Sequence, residues 1–421
     1  MQLKVRPGRV SGELLASPSK SYSHRAMTLA LLADGASRLR RPLLSGDTLA
    51  TLAAIEAFGA KVERIGDDLV VNGGTLRCPD NVIDAANSGT TIRIMAGVAS
   101  LIPCYTVLTG DSSIRRRPMQ PLIDALNQLG VECHSTQGKG LAPLIVKGPN
   151  KGTEVSIPGD VSSQFISSLL ISSPLKECDT DIHLTTELKS RPYVEMTIEM
   201  MAKFGAKAAT TKDGFHVPGG QRYSASDYTI PGDYSSAAFP LAAGALTGSA
   251  TVNNLDPRDP QGDKVVLDIL KRFGAKVTSK GGSFTVSKAR LKGAKIDLGD
   301  APDLFPIVAV VATQAEGESL LVNAEHVRHK ESDRISTTTE FLSRMGAEVE
   351  ERKDGCAIKG PCRLHGASID PRDDHRILMA AAVAALMAEG ETVIGDGDCF
   401  KISYPGFVED MRSLGADLEL K

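Results

Sequence analysis

Cationic and acidic side chains alternate in residues 326–335, which read HVRHKESDRI. Lys330 and Arg334 are four positions apart, so on a helix they would share a face and could hold one anion together. Glu331 beside them could deliver a proton to a bound substrate, and general acid–base help of this kind contributes roughly 10²–10⁴-fold in rate. On charge pattern alone, a solvated helix face is the better interpretation. The position of this segment in the chain has to decide between the two.

Further polar residues cluster at the starts of predicted helices and in the loops that follow the next strand. The helix starts read SKSYSHR, NSGTTIR, VSSQF, DYSS, DLF and DDHR, and the loops read TGDSSIRRRP, TTELKSRPY, EHVRHKESDR and GDGDCFKISYP. Helix starts attract phosphate and carboxylate because their first N–H groups are unpaired. The basic residues in these segments are Lys20, Arg25, Arg93, Arg117, Arg191, Lys330, Arg334, Arg376 and Lys401. We therefore predict a substrate with several negative charges.

The composition excludes several classes of protein. The 421 residues are 42% hydrophobic and 24% charged, which is typical of a soluble globular protein of two or three domains. A net charge of −3, no Trp and 4% aromatic residues argue against nucleic acid as a partner. The longest apolar run, ILMAAAVAALMA, is too short to span a membrane, and the N-terminus reads as a strand rather than a signal peptide. We expect a cytoplasmic protein with no membrane partner.

The seven cysteines are scattered and form no Cys-x-x-Cys pair or Cys/His cluster. This distribution indicates neither a zinc site nor a disulfide framework. We predict no metal and no cofactor.

A repeat of about 70 residues runs through the whole chain. Six segments end an amphipathic helix with a glycine and continue into a strand-like run, and their glycines are separated by 69 to 75 residues. Glycine suits this place because it adopts the left-handed conformation that closes a helix. The six glycines are Gly59, Gly130, Gly205, Gly274, Gly346 and Gly415.

Each repeat reads as helix, strand, loop, helix, glycine, strand and strand. The helices crowded with Ala, Ser and Gly suggest close packing inside, with the sheets outside. The sixth repeat lacks its last strand, which the N-terminal QLKVRPG can supply. We therefore predict an α/β fold: a two-lobed, inside-out α/β barrel of six βαβαββ-type units, three per lobe. The first lobe would be residues 19–228 and the second residues 1–18 plus 229–421, with a hinge at the two crossings.

The predicted helix caps differ between the lobes. The first lobe caps with Ser, Asn or Thr, which can bond a phosphate or hydroxyl without repelling it. The second lobe places Asp233, Asp303 and Asp374 at equivalent helix starts, where an N-cap would explain all three and an Asp could also accept a proton. This difference suggests that a phosphorylated, hydroxylated substrate lies mainly on the first lobe, with acid–base groups supplied by the second.

Eight segments, in order along the chain, resemble the signatures of the 5-enolpyruvylshikimate-3-phosphate synthases. They are SPSKSYSHRAM, NSGTTIRI, GDSSIRRRP, VSSQF, SRPYVEMT, HKESDR, DDHR and ISYPGF. The resemblance implies the two-lobed, six-unit fold. It also implies transfer of the enolpyruvyl group of phosphoenolpyruvate to the 5-hydroxyl of shikimate 3-phosphate, with release of phosphate and without a cofactor, in a protein that we expect to be a monomer.

The resemblance also assigns residues to the two substrates. Those implied for shikimate 3-phosphate are Lys20, Ser21, Arg25, Ser162, Ser163, Gln164, Ser190, Tyr193, Asp303 and Lys330. Those implied for phosphoenolpyruvate are Lys20, Asn87, Gly89, Thr90, Arg117, Gln164, Arg334, His375, Arg376 and Lys401. The catalytic set would be Asp303, Glu331, Lys20 and Lys330, with Asp303 accepting the proton of the attacking hydroxyl. The pattern departs at Lys401, because the family often has Lys where Ile402 stands here.

Simpler explanations exist for many of these residues. Ser21 with Arg25 reads as a helix cap with a surface arginine, Tyr193 as core packing, and His375 as a donor at a helix start. Three other functions also fit parts of the pattern. They are UDP-N-acetylglucosamine enolpyruvyl transfer, whose loop would carry a reactive Cys absent from TGDSSIRRRP; a non-catalytic repeat protein that binds phosphorylated ligands; and RNA 3′-phosphate cyclisation.

Overall fold

The structure, a computed structural model, describes residues 1–421. The chain folds into two compact units, which we call the first unit (Pro18–Ile230) and the second unit (Met1–Ser17 with Pro231–Lys421). Two strands of the second unit precede the first unit in the chain, β1 (Leu3–Arg6) and β2 (Ser11–Leu15).

The first unit contains six helices and thirteen strands. The helices are α1 (Lys20–Leu32), α2 (Gly46–Ala57), α3 (Gly89–Ala99), α4 (Gln120–Gln128), α5 (Ser163–Ser172) and α6 (Arg191–Lys203). The strands are β3 (Ala33–Arg40), β4 (Lys61–Ile65), β5 (Asp68–Gly73), β6 (Ile83–Asp84), β7 (Thr106–Thr109), β8 (Glu132–Ser135), β9 (Leu144–Lys147), β10 (Glu154–Ile157), β11 (Thr180–Leu184), β12 (Ala209–Thr210), β13 (Gly214–Val217), β14 (Tyr223–Ser224) and β15 (Asp227–Thr229).

The remainder of the second unit repeats this order of elements. Its helices are α7 (Tyr234–Thr247), α8 (Val266–Phe273), α9 (Phe305–Ala312), α10 (Arg334–Arg344), α11 (His375–Ala385) and α12 (Phe407–Ser413). Its strands are β16 (Ser249–Asn253), β17 (Lys276–Lys280), β18 (Ser283–Ser287), β19 (Lys295–Asp297), β20 (Gly317–Val322), β21 (Glu348–Arg352), β22 (Gly355–Gly360), β23 (Ser368–Ile369), β24 (Thr392–Ile394) and β25 (Asp417–Leu420).

Three sheets in each unit follow one plan, and neighbouring repeats share each sheet. The first unit has the strand orders β14-β3-β5-β4, with β15 also on β3, then β6-β7-β9-β8 and β10-β11-β13-β12. The second unit has β2-β16-β18-β17, β19-β20-β22-β21 and β23-β24-β1-β25. In most of them the last strand of one repeat pairs in parallel with the next repeat's first strand, as β6 does with β7. Each repeat therefore needs its neighbour to complete a sheet.

The N-terminal strand completes the sixth repeat, as predicted. β1 lies between β24 and β25, with Leu3 opposite Ile394 and Val5 opposite Leu418 in antiparallel register. Leu3 and Val5 are fully buried, so the two ends of the chain share one core. This burial makes β1 part of the fold rather than a loose terminus.

The helices rich in small residues are the buried ones. All fourteen residues of α7 are buried, and α7, α9 and α11 pack against one another in the second unit. In the first unit, a Cβ added to Gly97 of α3 would lie 2.5 Å from Ser168 Oγ on α5, so only glycine permits this approach. The longest helix has 14 residues, and no helix combines the length and apolar character needed to cross a membrane.

The six repeat glycines have the predicted conformation. Their φ angles lie between +80° and +110°, in the region that L-residues with a Cβ seldom adopt. Each ends its helix and turns the chain into the next strand, so this prediction is confirmed.

One prediction about cysteine is wrong. A disulfide joins Cys78, after β5, to Cys104, between α3 and β7. The pair is 26 residues apart in sequence, but the fold brings the two Cα atoms to 6.1 Å, within the usual range for a disulfide. No sequence pattern indicates this bond, because the two loops become neighbours only when α3 packs beside the first repeat.

Candidate active site

Helix α1 begins with Lys20, which is held by a carboxylate. Lys20 Nζ donates to Asp47 Oδ2 at 2.7 Å, and the two side chains are only 14% and 4% exposed. Asp47 lies in the first turn of α2, where an acidic side chain is stabilised by the helix dipole. The pair fixes the position of the lysine at the start of α1.

Arg25 is buried in the first unit among neutral oxygens. Its Nε donates to Thr197 Oγ1 at 2.7 Å, and its Nη atoms donate to Ser167 Oγ at 3.2 Å and to the carbonyls of Ser21 and Tyr193 at 3.1 Å. The side chain is 2% exposed and forms no ion pair with a carboxylate. Burial therefore lowers the pKa of Arg25 to about 10.

The start of α3 brings a glycine close to two arginines. Ser88 is the N-cap and accepts a hydrogen bond from the Thr91 amide at 3.1 Å. A Cβ on the next residue, Gly89, would lie 2.9 Å from Arg117 Nη1 and 3.5 Å from Arg93 Nη1. Glycine therefore leaves the N-terminus of α3 open toward two guanidinium groups.

Gln164 links three of the predicted residues. Its Nε2 donates to Thr90 Oγ1 at 2.8 Å, and its Oε1 accepts from Arg93 Nη1 at 2.6 Å. Arg93 Nη1 also donates to Ser162 Oγ at 3.3 Å, and its guanidinium lies 5.0 Å from the centre of the Phe165 ring. This network aligns the starts of α3 and α5.

Arg117 is oriented by two side chains from its own repeat. Its Nη2 donates to Asn87 Oδ1 at 3.0 Å and to Ser113 Oγ at 2.9 Å, and the side chain is buried. Asn87 in turn donates through Nδ2 to Asp111 Oδ2 at 2.7 Å. The asparagine therefore keeps its oxygen turned toward the arginine.

The remaining first-unit residues lie at the starts of α5 and α6. Ser162 caps α5 and Ser163 is buried, while Ser190 precedes α6 with a left-handed φ of +54°. Such a φ is uncommon outside glycine and persists only where the surrounding structure holds the residue in place. The backbone carbonyl of Tyr193 accepts a hydrogen bond from Arg25, whereas Arg191 is an exposed residue.

The three aspartates of the second unit do not share one role. Asp233 accepts from the Ser236 amide at 2.7 Å, and Asp374 accepts from the Arg376 amide at 3.0 Å, so both are N-caps. Asp303 lies inside an extra 3-10 turn, Pro302–Leu304, that precedes α9, and Leu304 occupies the N-cap position. The predicted cap at Asp303 is therefore wrong, because the added turn releases its carboxylate for side-chain contacts.

Arg334 joins three carboxylates. Its Nη1 donates to Asp303 Oδ1 at 2.7 Å, its Nη2 to Glu331 Oε2 at 2.6 Å, and its Nε to Asp374 Oδ2 at 2.9 Å. The side chain is 1% exposed and Asp374 is 0% exposed. One buried guanidinium therefore places Asp303 and Glu331 side by side.

Asp303 is surrounded by cations. Arg376 Nη2 lies 3.0 Å from its Oδ2, and Lys330 Nζ lies 3.9 Å from its Oδ1. Burial would raise the pKa of Asp303, but the charges of Arg376, Lys330 and Arg334 outweigh it and hold the pKa below its ordinary value. Asp303 is thus ionised at neutral pH.

Arg376 has hydrogen-bonding capacity to spare. It is 3% exposed, and its Nε and Nη1 atoms have no hydrogen-bond partner in the protein. Buried N–H groups without a partner are rare and costly, and an anion would satisfy several at once.

The other predicted second-unit residues lie in two environments. His375 is buried at the start of α11, beside Arg376. Lys401 lies in a 3-10 turn, Cys399–Ile402, with a side chain that is 52% exposed and 3.9 Å from Asp398. Within the second unit, the structure brings together Asp303, Lys330, Glu331, Arg334 and Arg376, and it does not join Lys401 to them by an ion pair.

Comparison with known proteins places this geometry in a family. The family model described as EPSP synthase (3-phosphoshikimate 1-carboxyvinyltransferase) matches residues 5–411. The chain belongs to the EPSP synthase family. It is 52% identical over 421 residues to the 3-phosphoshikimate 1-carboxyvinyltransferase of Methanocorpusculum labreanum, covering 99% of each chain. It is 47% identical over 419 residues to that of Methanocaldococcus jannaschii, covering 98% of each.

Solved structures agree on the fold. An EPSP synthase from Acinetobacter baumannii matches with a TM-score of 0.82 at 28% identity, over 99% of both chains. The enolpyruvyl transferase NikO from Streptomyces tendae matches with a TM-score of 0.81 at 17% identity, which shows the fold alone. The predicted family and the predicted fold class are confirmed, and the chain is a transferase of the EPSP synthase family.

Sequence reasoning missed several residues that pair with or adjoin the residues of the candidate site. Asp47 reads only as an acidic residue in a first helical turn, and Asp374 only as a cap, although each pairs with a predicted cation. Asp263 was also missed. It is buried, shares a short hydrogen bond with Ser235, and burial raises its pKa to about 7. The sequence signal for Asp263 was the polar PQGD segment just before an apolar helix.

Proposed function

We propose that this chain transfers the enolpyruvyl group of phosphoenolpyruvate to the 5-hydroxyl of shikimate 3-phosphate, in the shikimate pathway, through a tetrahedral intermediate. The observation that carries the proposed chemistry is the pair of carboxylates, Asp303 and Glu331, on one buried guanidinium, Arg334. This reaction needs one group that takes a proton and one that gives a proton. The pair supplies both within a cluster of cations suited to anionic substrates.

The first unit would hold shikimate 3-phosphate. Arg25 is a buried cation whose hydrogen bonds all go to neutral oxygens, so a phosphorylated ligand would supply the negative charge that its surroundings lack. The hydroxyls and amide at the starts of α1, α5 and α6 can bond phosphate and ring oxygens without repelling them. The full set of proposed contacts is Lys20, Ser21, Arg25, Ser162, Ser163, Gln164, Ser190, Tyr193, Asp303 and Lys330.

Guanidinium and amide groups are the proposed ligands of phosphoenolpyruvate. In the first unit, Gly89 leaves room beside Arg117 for an anionic group at the start of α3. In the second unit, the buried Nε and Nη1 of Arg376 would donate to the carboxylate or phosphate of the substrate. The full proposed set is Lys20, Asn87, Gly89, Thr90, Arg117, Gln164, Arg334, His375, Arg376 and Lys401.

The reaction then proceeds by addition and elimination. Glu331 gives a proton to C3 of phosphoenolpyruvate, and the oxygen of the 5-hydroxyl attacks C2 while Asp303 takes the hydroxyl proton. The adduct loses phosphate from C2 and a proton from the new methyl group, which restores the double bond. Lys20 and Lys330 would stabilise the negative charge of the departing phosphate. Every atom of both substrates is recovered in the enolpyruvyl product and phosphate.

Substrate binding would also adjust the strength of Asp303 as a base. Arg376 and Lys330 hold the pKa of Asp303 low, which makes the isolated carboxylate a weak base. Phosphoenolpyruvate would place its own negative charges on these same cations. The electrostatic effect of these cations on Asp303 would then weaken. The pKa of Asp303 would rise, and the carboxylate would be a stronger base when the substrate is present.

We propose that the chain acts as a monomer in the cytoplasm and that its partners are its two small-molecule substrates.

A phosphate-release assay tests the proposal. The chain is mixed with phosphoenolpyruvate and shikimate 3-phosphate, and in parallel with phosphoenolpyruvate and UDP-N-acetylglucosamine. We expect phosphate release only with shikimate 3-phosphate, together with equimolar enolpyruvyl product. Phosphate release with UDP-N-acetylglucosamine but not with shikimate 3-phosphate would refute the proposal. The absence of phosphate release with both acceptors would also refute it.

A further inference from the structure

A chain of buried hydrogen bonds crosses the first unit behind the candidate site. We call it the hydroxyl chain, and it consists of Ser88, Thr91, Thr51 and His24. Thr91 Oγ1 lies 2.7 Å from Ser88 Oγ and 2.7 Å from Thr51 Oγ1, and Thr51 Oγ1 lies 2.6 Å from His24 Nδ1. None of the four residues is more than 1% exposed. None of the four residues of the hydroxyl chain is proposed to contact a substrate.

The hydroxyl chain connects three helices. His24 belongs to α1, Thr51 to α2 and Thr91 to α3, and Ser88 is the N-cap of α3. The Thr91 hydroxyl also lies 3.4 Å from the carbonyl oxygen of Asp47, whose side chain holds Lys20. The chain therefore ties the first turn of α3 to the two helices that position Lys20.

The hydrogen bonds of the hydroxyl chain can all run in one direction, from donor to acceptor. Burial, with help from Lys20 and Arg25, lowers the pKa of His24 well below its ordinary value, so the ring is neutral. If its proton is on Nδ1, His24 donates to Thr51, Thr51 donates to Thr91, and Thr91 donates to Ser88. Ser88 also accepts from the Thr91 amide, so the chain ends on the N-cap of α3.

Hydroxyls in a dry core cost stability unless they are hydrogen-bonded, and valine would fill the same volume without that requirement. What the hydroxyls add is fixed geometry, because the bonds from Thr51 to His24 and to Thr91 set the separation of α2 from α1 and from α3. Helix α1 is also tied to α5 and α6 by the bonds from Arg25 to Ser167 and Thr197. Loss of the hydroxyl chain would leave the first turn of α3 with the bond between Thr90 and Gln164 of α5, whereas α1 would keep the several bonds of Arg25.

We propose that Thr91 and Thr51 are positioning residues for phosphoenolpyruvate. They act by fixing the first turn of α3, where Gly89 and Thr90 stand next to Arg117. This inference rests on the proposed function, in which that turn binds phosphoenolpyruvate and α1, α5 and α6 bind shikimate 3-phosphate. The two threonines therefore affect one substrate more than the other, although they touch neither.

Steady-state kinetics of Thr91→Val and Thr51→Val test the inference. Thr106→Val is the matched control, because Thr106 is buried in the same unit and its hydroxyl has no hydrogen-bond partner. We expect Thr91→Val to raise KM for phosphoenolpyruvate about tenfold, the effect of losing one buried hydrogen bond. KM for shikimate 3-phosphate should change by less than about twofold on the same scale.

Three further comparisons sharpen the test. Thr91→Ser keeps the hydroxyl and should restore KM for phosphoenolpyruvate. Thr51→Val should act in the same direction as Thr91→Val. In the double variant, the rise in KM for phosphoenolpyruvate should be smaller than the two single effects combined, because both substitutions interrupt the same hydroxyl chain. If Thr91→Val does not fold, Thr51→Val against Thr106→Val carries the same comparison.

Two outcomes would overturn the inference. One is a KM for phosphoenolpyruvate in both valine variants equal to that of Thr106→Val. The other is an equal rise in KM for both substrates, which indicates a general structural defect. A wild-type chain without phosphate release would instead refute the proposed function, and the inference would fall with it. The two failures are distinguishable because one is read from the wild type alone and the other from the variants.

Discussion

Arg25 in the first unit and Arg334 in the second unit are both buried arginines, yet they have opposite kinds of partner. Arg25 donates only to hydroxyl and carbonyl oxygens, whereas Arg334 donates to three carboxylates. Their pKa values diverge accordingly. Burial lowers the pKa of Arg25 to about 10, while the charges of Asp374, Glu331 and Asp303 outweigh burial at Arg334 and raise its pKa.

This difference indicates that the two buried arginines have different roles. A cation buried without a counter-ion is costly, and a bound anion would offset that cost. A cation shared by three carboxylates is compensated internally, and its value lies in holding those carboxylates in fixed positions. We therefore propose that Arg25 in the first unit receives charge from a ligand and that the second unit holds the acid and base groups.

The largest expected effect is on turnover, in the second unit. Glu331→Gln removes the proposed acid but keeps a partner for Arg334, so we expect kcat to fall by roughly 10²–10⁴-fold with substrate binding preserved. Phosphate release and calorimetric titration measure the two quantities. Glu340→Gln, on the exposed part of α10, is the control and should leave kcat unchanged. A kcat near that of the wild type would remove Glu331 from the mechanism.

Removal of the shared arginine should damage stability most. Arg334→Met leaves Asp374 buried without its cation, and loss of one partner of a buried ion pair costs about 3–5 kcal/mol. Chemical denaturation measures the free energy of unfolding. Arg344→Met, which breaks a surface pair with Glu340, should cost no more than about 1 kcal/mol. Equal losses in the two variants would contradict the picture of a carboxylate framework held by Arg334.

The disulfide gives the first unit a feature that the second unit lacks, since Cys356, Cys362 and Cys399 are free thiols. Reduction should lower stability by about 3 kcal/mol, because the cross-link closes a loop of moderate length. Hydrogen exchange should show the loss of protection in the first unit, and Cys78→Ser should reproduce it. Cys178→Ser, at a free cysteine of that unit, should not. A loss of protection confined to the second unit would contradict this assignment.

A smaller effect should depend on pH. Asp303 has a pKa below its unfolded value, so the stability it contributes is present above about pH 4 and is lost as pH falls toward the folded pKa. We expect Asp303→Asn to cost about 2 kcal/mol at pH 7. The gap in free energy of unfolding between wild type and variant should narrow as pH falls from 6 to about 3. A gap that widens with acid would mean that the pKa of Asp303 is raised.

The same comparison shows what could be predicted from the sequence. The repeat glycines and the N-terminal strand were predictable because they follow from local conformation and from counting strands. Repeat position alone does not separate Asp303 from Asp233 and Asp374, and only the family resemblance singles it out. In the structure, the extra turn at Pro302 distinguishes it.

Other features depend on distant parts of the chain. The hydroxyl chain from His24 to Ser88 and the Cys78–Cys104 bond join segments that are neighbours only after the helices pack. The resemblance to the EPSP synthases, and not the charge pattern, predicts Arg334 as a substrate ligand. Its partner Glu331 lies only three positions away, whereas Asp303 and Asp374 come from separate segments that no spacing in the sequence indicates.

The most direct measurement is the thermal unfolding of Arg25→Met with and without shikimate 3-phosphate, with Arg38→Met, at a surface ion pair, as the control. Ser167 and Thr197 hydrogen-bond to each other, so without ligand Arg25→Met should unfold at or above the wild-type temperature. Shikimate 3-phosphate at 100 times its wild-type Kd should stabilise wild type and Arg38→Met by about 2.7 kcal/mol and Arg25→Met by far less. Full stabilisation of Arg25→Met by the ligand would contradict the claim that the first unit keeps this cation for its substrate.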